Sequence, residues 1–261
     1  MKIVLSLCLT LAFLVFAVLP SYAALDKKGL ILLFTFEGAK GDTVSDLSGG
    51  KHDGALKTKA TITTTAKYGK GALEITDPNA LMEVTSFTEL AEYKDNTILF
   101  WINFTAGSNG NWSQILVKLG GTDRSPGIWI NPDSTGIHYR YDAGNQGCDK
   151  IGPNGEGSAY DLKTWYHIAG SKKAGELTFY CNAVEKRKVA VPATHAQAAQ
   201  SLLVGKSTFR AATFYMDDLV VFNRALTADE VKQIMDGALS AKAPVESQGK
   251  LASTWGNIKS Y

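Results

Sequence analysis

Little in this 261-residue chain points to covalent or charge-driven function. It has three cysteines, one of them, Cys8, inside an N-terminal apolar run, so a cysteine-rich scaffold or a multi-cysteine zinc framework is excluded. Lys and Arg number 27 against 25 Asp and Glu, and this near balance excludes nucleic acid as the main partner, since phosphate binding needs a basic excess. Beyond the first twenty residues no apolar run is long enough to span a bilayer. No Glu is followed two residues later by Asp or Glu, the single-strand arrangement that would hold two carboxylates across a glycosidic bond. Gly-x-Ser-x-Gly and His-Glu-x-x-His are also absent.

What is present begins with an export signal. Met1-Lys2 supplies one charge, Ile3 to Val18 is apolar, and Ser21 and Ala23 fit the small-x-small cleavage rule, so cleavage is expected after Ala23. The expected product is secreted, extracellular or periplasmic, with no membrane span once residues 1–23 are removed. Cys148 and Cys181 then remain, 33 residues apart. In an exported protein an even pair suggests a disulfide, which would add roughly 3–4 kcal/mol by chain entropy. The alternative is two buried thiols.

The 25 glycines and frequent Thr, Val, Tyr and Phe favour strands and turns. Gly29 to Phe36 reads as a buried strand, and Asn96 to Phe104 alternates, with Ile98, Phe100 and Ile102 on one face. About a dozen short strands, with turn signals at regular spacing, predict an all-β, two-sheet antiparallel jelly-roll sandwich. Residues 142–161, rich in glycine, read as a long loop. Thr227 with Glu230 three residues on is a capping box, and Val231, Ile234 and Met235 form the apolar stripe of one short helix ending at Gly237. The expected division is a leader over 1–23, one domain over 24–238, and a linker and tail over 239–261. In the tail Leu251, Trp255 and Ile258 share a helical spacing.

Four stretches in order resemble the laminin G-like, concanavalin A-like jelly-roll family. They are Leu33-Phe34-Thr35-Phe36-Glu37-Gly38 with the turn from Thr43 to Gly54; Thr97-Ile98-Leu99-Phe100-Trp101-Ile102; Trp165-Tyr166-His167-Ile168-Ala169-Gly170 with Leu177 to Val184; and Met216-Asp217-Asp218-Leu219-Val220-Val221-Phe222 continuing to Thr227. Together they span about residues 26–238. Cys181-Asn182-Ala183 departs from the usual Val-Asp-Gly hairpin of such modules. The resemblance implies two antiparallel sheets and, in many members, a structural calcium ion.

Calcium takes six to eight oxygens. Glu37, Asp46 and Asp217 are the expected side-chain ligands, with carbonyls near Gly50 and His52 completing the shell. Asp217 shares strand parity with Leu219 and Val221, and if that face is the core its carboxylate points inward and needs a cation or several hydrogen bonds. The alternative is that Asp46 caps its own turn and Asp217 takes backbone amides. Asp149, Glu156 and Asp161 form a weaker second cation candidate against a solvated loop, and His167 reads as a core histidine.

Sugar sites stack aromatic rings on C–H faces and add Asp or Asn hydrogen bonds to hydroxyls. Trp112, Trp129, Tyr139, Tyr141, Asp142 and Asn145 cluster in sequence and are the expected ligand surface. The expected function is a secreted, non-catalytic recognition module for a glycan or a cell-surface protein, with protein adhesion as the alternative and a glycan-active hydrolase the third reading.

Overall fold

The computed structural model describes residues 24–240, apart from 86, 89, 91–93, 120–123, 143 and 195–199. The expected leader and the tail around Trp255 lie outside the described residues. In chain order the strands are β1 (Leu30–Phe34), β2 (Thr43–Val44), β3 (Gly54–Lys57), β4 (Thr61–Thr63), β5 (Ala72–Ile75), β6 (Leu81–Val84), β7 (Asn96–Phe104), β8 (Ser113–Lys118) and β9 (Gly127–Ile130). They continue as β10 (Ile137–Tyr141), β11 (Gln146–Gly152), β12 (Gly155–Glu156), β13 (Trp165–Lys173), β14 (Glu176–Cys181), β15 (Val184–Ala190), β16 (Leu202–Gly205), β17 (Arg210–Ala211) and β18 (Phe214–Phe222).

These strands form two facing sheets, as the alternating pattern predicts. The smaller runs β15-β14-β13-β7-β18-β5-β4, with β1 also on β18; the larger runs β12-β11-β10-β9-β8-β16-β6-β3-β2, with β17 beside β8. Every pairing is antiparallel except β17 with β8. Between the sheets lies a core of alternate residues from both, among them Ile98, Phe100, Ile102, Ile128, Ile130, Tyr139, Ile168 and Phe179. A second apolar cluster covers the outside of the smaller sheet: Leu99, Ala169, Val220 and Phe222 pack against Leu226, Val231, Ile234 and Leu239. Those last residues belong to the helix Ala228–Met235 and its flanks, and the helix begins with the predicted capping box of Thr227 and Glu230.

Two expectations are overturned here. The stretch 142–161 is not one loop, because β11 and β12 form a hairpin within it and β11 pairs with β10. No disulfide joins Cys148 and Cys181; both are free and buried. Cys148 sits on β11 of the larger sheet and Cys181 on β14 of the smaller. Buried Tyr160 lies near both sulfurs. Burial pushes the Cys148 thiol up to about 12 and that of Cys181 up to about 11, so both are neutral, unreactive core side chains.

A bulge explains a third departure. Between Asp217 and Val220 the register of β18 on β7 shifts, and Asp218 takes a φ of 47°. The extra residue reverses side-chain parity. Met216, Leu219 and Val221 face the core, but Asp217, opposite Trp101, faces the other way. Asp217 therefore does not share a face with Leu219, as strict alternation predicts.

Candidate functional site

The acidic residues are best taken first, because the chain occupies them locally. Glu37 Oε1 accepts the amides of Lys70 at 2.6 Å and Gly71 at 2.7 Å. Asp46 accepts four bonds: the amides of Leu33 (3.0 Å) and Ser48 (2.9 Å) at Oδ1, and the Ser48 hydroxyl (2.9 Å) and His52 amide (3.0 Å) at Oδ2. The His52 ring lies edge-on to Phe87 with centroids 4.9 Å apart. Asp217, fully buried, accepts the amides of Lys67 (2.8 Å), Tyr68 (2.9 Å) and Asp218 (2.9 Å).

The Asp46 and Asp217 carboxylates thus each tie a loop to a strand, and Glu37 ties the turn after β1 to the segment before β5. Among the described residues no three His, Cys, Asp or Glu side chains gather as a metal centre, so the side chains of Glu37, Asp46 and Asp217 do not meet as one set of three. The second acidic set is likewise dispersed: Asp149 pairs with His138, Glu156 with Arg187, and Asp161 takes the Tyr166 hydroxyl. A chelator is accordingly expected to leave the melting temperature within about 1 °C of its value in calcium, read by circular dichroism. A drop of several degrees would restore a cation to the account.

The feature with ligand-binding shape lies on the outer face of the larger sheet. In β9, Ile128 and Ile130 face the core, which turns Trp129 outward. In β10, Ile137, Tyr139 and Tyr141 face the core, which turns His138 and Arg140 outward. The register sets Gln114, Trp129 and His138 side by side across β8, β9 and β10. A bulge opposite His138 brings Asp149 beside it, with His138 Nδ1 2.7 Å from Asp149 Oδ1.

Loops raise walls around this row. Trp112, just before β8, holds its ring 4.6 Å from that of His138 and is 37% exposed. Phe209, between β16 and β17, meets Trp129 edge-on at 5.7 Å. The Arg124 guanidinium lies 5.5 Å from the Trp129 ring centre. Asn145, in the turn between β10 and β11 with φ of 54°, places Oδ1 3.3 Å from His138 Nε2. Asparagine tolerates that left-handed conformation better than most residues. Together these six residues enclose a pocket of about 220 Å³.

The polar frame beneath is tightly bonded. Arg140 donates to the carbonyls of Asn145 (2.9 Å) and Gly147 (3.0 Å) and lies 3.5 Å from Asp149, while Asn131 donates to Asp149 at 3.2 Å. Gly147 has a φ of 144°, and a Cβ there would sit 2.1 Å from the Tyr139 carbonyl, so only glycine allows the turn to close on β10. Burial holds His138 below its usual value despite the Asp149 carboxylate, so it is a neutral hydrogen-bonding group at pH 7. Burial pushes Asp149 up, but the bonds from His138 and Asn131 outweigh it and hold the carboxyl low. The Trp129 indole N–H is buried and has no hydrogen-bond partner among the described residues.

Three of the expected ligand residues, Trp112, Trp129 and Asn145, meet in this pocket. Tyr139 and Tyr141 do not: both are fully buried between the sheets, and the Tyr141 hydroxyl donates to Asn96 Oδ1 at 2.9 Å. They occupy the core-facing positions of β10, whose outward positions are His138 and Arg140. Asp142 turns the chain at the end of β10, its amide bonded to the Arg124 carbonyl, and is not in the pocket wall. His138 was open to detection from the alternation of β10 alone. Arg124 and Phe209 arrive from distant loops without a sequence signal.

His167 is buried, but it lies on the outer face of the smaller sheet beside Trp101, with ring centres 5.2 Å apart, and not in the core between the sheets as expected; its Nδ1 has no partner among the described residues, and burial takes it down to about 3. No helix among the described residues is long and apolar enough to cross a membrane.

An antiparallel two-sheet sandwich with this strand order defines a jelly-roll class of domain. The chain belongs to the concanavalin A-like lectin/glucanases superfamily, whose profile matches residues 76–232. No curated protein matches it in sequence. Solved structures share the fold. The receptor binding domain of botulinum neurotoxin C/D mosaic serotype superposes with a TM-score of 0.63 at 14% identity, over 81% of this chain and 52% of that one. The binding domain of Paraclostridial Mosquitocidal Protein 1 gives 0.59 at 16% identity, over 80% and 52%. Trypanosoma rangeli sialidase in complex with sialic acid gives 0.61 at 15% identity, over 83% and 34%. This chain therefore spans about half the length of the toxin domains and a third of the sialidase.

Proposed function

We propose that this is a non-catalytic carbohydrate-recognition module whose ligand enters the pocket of Trp112, Trp129, His138, Asn145, Arg124 and Phe209. The observation that carries the reading is the pairing of aromatic walls with hydrogen-bonding groups, the neutral His138 and Asn145 and the Arg124 guanidinium, in one small cavity. Sugars present apolar C–H faces and hydroxyls together, and such a lining meets both. The superfamily and the toxin and sialidase neighbours fit a carbohydrate-binding module. Among the described residues no carboxylate lines the pocket, and Asp149 beside it is held by His138, Asn131 and Arg140, so the pair of acids that a glycosidase uses is not found among the described residues at this site. Export fits the reading, through the Met1-Lys2 start and the apolar run to Val18, and it would put the pocket before extracellular glycans.

A glycan array probed with the exported domain is expected to give a consistent class of hits. Trp112→Ala is expected to weaken those hits by about tenfold or more while leaving the melting temperature near that of the parent, because Trp112 is partly exposed. An array with no binder would defeat the proposal, and so would hits that Trp112→Ala leaves intact.

A further inference from the structure

We infer that the pocket reads one sugar ring at the end of a glycan chain and not an internal stretch of a polymer. This rests on the carbohydrate reading above and adds which part of the glycan is recognised. The size of the cavity is the first argument. At about 220 Å³ it lies below the roughly 300–1,000 Å³ of pockets that take drug-sized ligands, a size that a disaccharide already reaches. Two other depressions on the molecule, of about 540 and 560 Å³, are larger but carry no tryptophan.

The second argument is enclosure. A ring inside a linear polymer must continue from both ends, which requires an open groove. Here the floor is Trp129 and His138 from adjacent strands. The rim is made by four separate segments: Trp112 before β8, Arg124 before β9, Asn145 in the turn after β10, and Phe209 before β17. A ring seated among these four segments is walled by side chains from each of them, and in this proposal the remaining glycan leaves through the open side.

The mobile parts of the ligand stay outside, so a longer chain would gain few contacts.

The test is a length series followed by NMR through the indole N–H signals of the protein. The probes are the methyl glycosides of glucose, galactose, mannose, N-acetylglucosamine and sialic acid, and the di-, tri- and tetrasaccharides that end in each. We expect at least one monosaccharide to bind and to move the Trp129 signal. Its affinity should stay within about threefold up to the tetrasaccharide, since added rings bury no further surface. Trp112→Ala should weaken every member of the binding series alike. Affinity that climbs by about tenfold or more from one ring to three would overturn the inference and leave the carbohydrate reading standing. So would tetrasaccharide binding with no monosaccharide response. No response to any probe, together with a blank glycan array, would instead bring down the carbohydrate reading itself.

Discussion

Asp217→Ala is expected to destabilise the fold by about 3–4 kcal/mol, a loss of roughly 10 °C in melting temperature for a domain of this size. The carboxylate is fully buried and accepts three backbone amides, from Lys67, Tyr68 and Asp218. Truncation leaves all three donors without an acceptor, and each unsatisfied buried amide costs about 1–3 kcal/mol. Relief of repulsion with the Asp218 carboxyl offsets part of that sum. Asp217→Asn should fall between: its oxygen still serves Lys67 and Tyr68, but its NH₂ then faces the Asp218 amide. Urea unfolding followed by far-ultraviolet circular dichroism measures both variants. A loss below about 1 kcal/mol for the alanine variant would mean that water replaces the carboxylate, and the loop around Lys67 would no longer count as pinned by β18.

The next residue gives the opposite result. Asp218→Asn is expected to stabilise the protein by about 2–4 kcal/mol at pH 8 and to make little difference at pH 4. Burial, and then the Asp217 charge, raise the Asp218 carboxyl from its ordinary 3.8 to about 7. The groups facing it are Asp217, the Ser240 hydroxyl that donates to Oδ2, and more distantly Glu37. Because the folded state prefers the protonated acid, stability is fully present below about pH 4 and is lost as pH rises through about 7. Asparagine mimics the neutral acid at every pH and fits the left-handed backbone at this bulge. Its advantage therefore grows across the same window.

The difference between variant and parent is the useful quantity, because His167 acts the other way. Its folded-state value near 3 lies below the ordinary 6.5, so the parent loses stability as pH falls below about 6.5. A difference curve that is flat from pH 4 to pH 8 would show that Asp218 is not held as a buried acid.

The same two residues show how far sequence reasoning reaches. The sandwich was legible because strand alternation and turn chemistry agree, and the helix because Thr227 and Glu230 form a complete cap. Asp217 was misplaced because a bulge adds one residue without marking the composition, and one residue reverses every face after it. The carboxylates of Glu37 and Asp46 look the same in sequence whether they await a cation or cap loop amides. The folded positions of Lys70, Gly71, Leu33 and Ser48 show the amides that these carboxylates take, which no sequence pattern marks. Similarly, two cysteines in an exported chain fit a disulfide by compartment, but an even count cannot tell that from the two free, buried thiols found here.

Half of the pocket was legible for the same local reasons. Trp112 beside a glycine turn and Asn145 at a turn are exposed by their loops, and Trp129 alternates with two core isoleucines. Tyr139 and Tyr141 were grouped with them because aromatic rings suit both a core and a sugar surface. Parity along β10 separates the two uses: Ile137 shares the tyrosines' face, which makes it the core face and leaves His138 outside.

Mapping a glycan-array hit onto the protein by backbone and indole chemical-shift changes tests the central claim most directly. The account predicts the largest changes at the Trp112 and Trp129 indoles and along His138 and Asn145, with the buried Tyr139 and Tyr141 silent. Changes centred instead on the smaller sheet, or at the rim near Glu37 and Lys70, would place recognition elsewhere and contradict it.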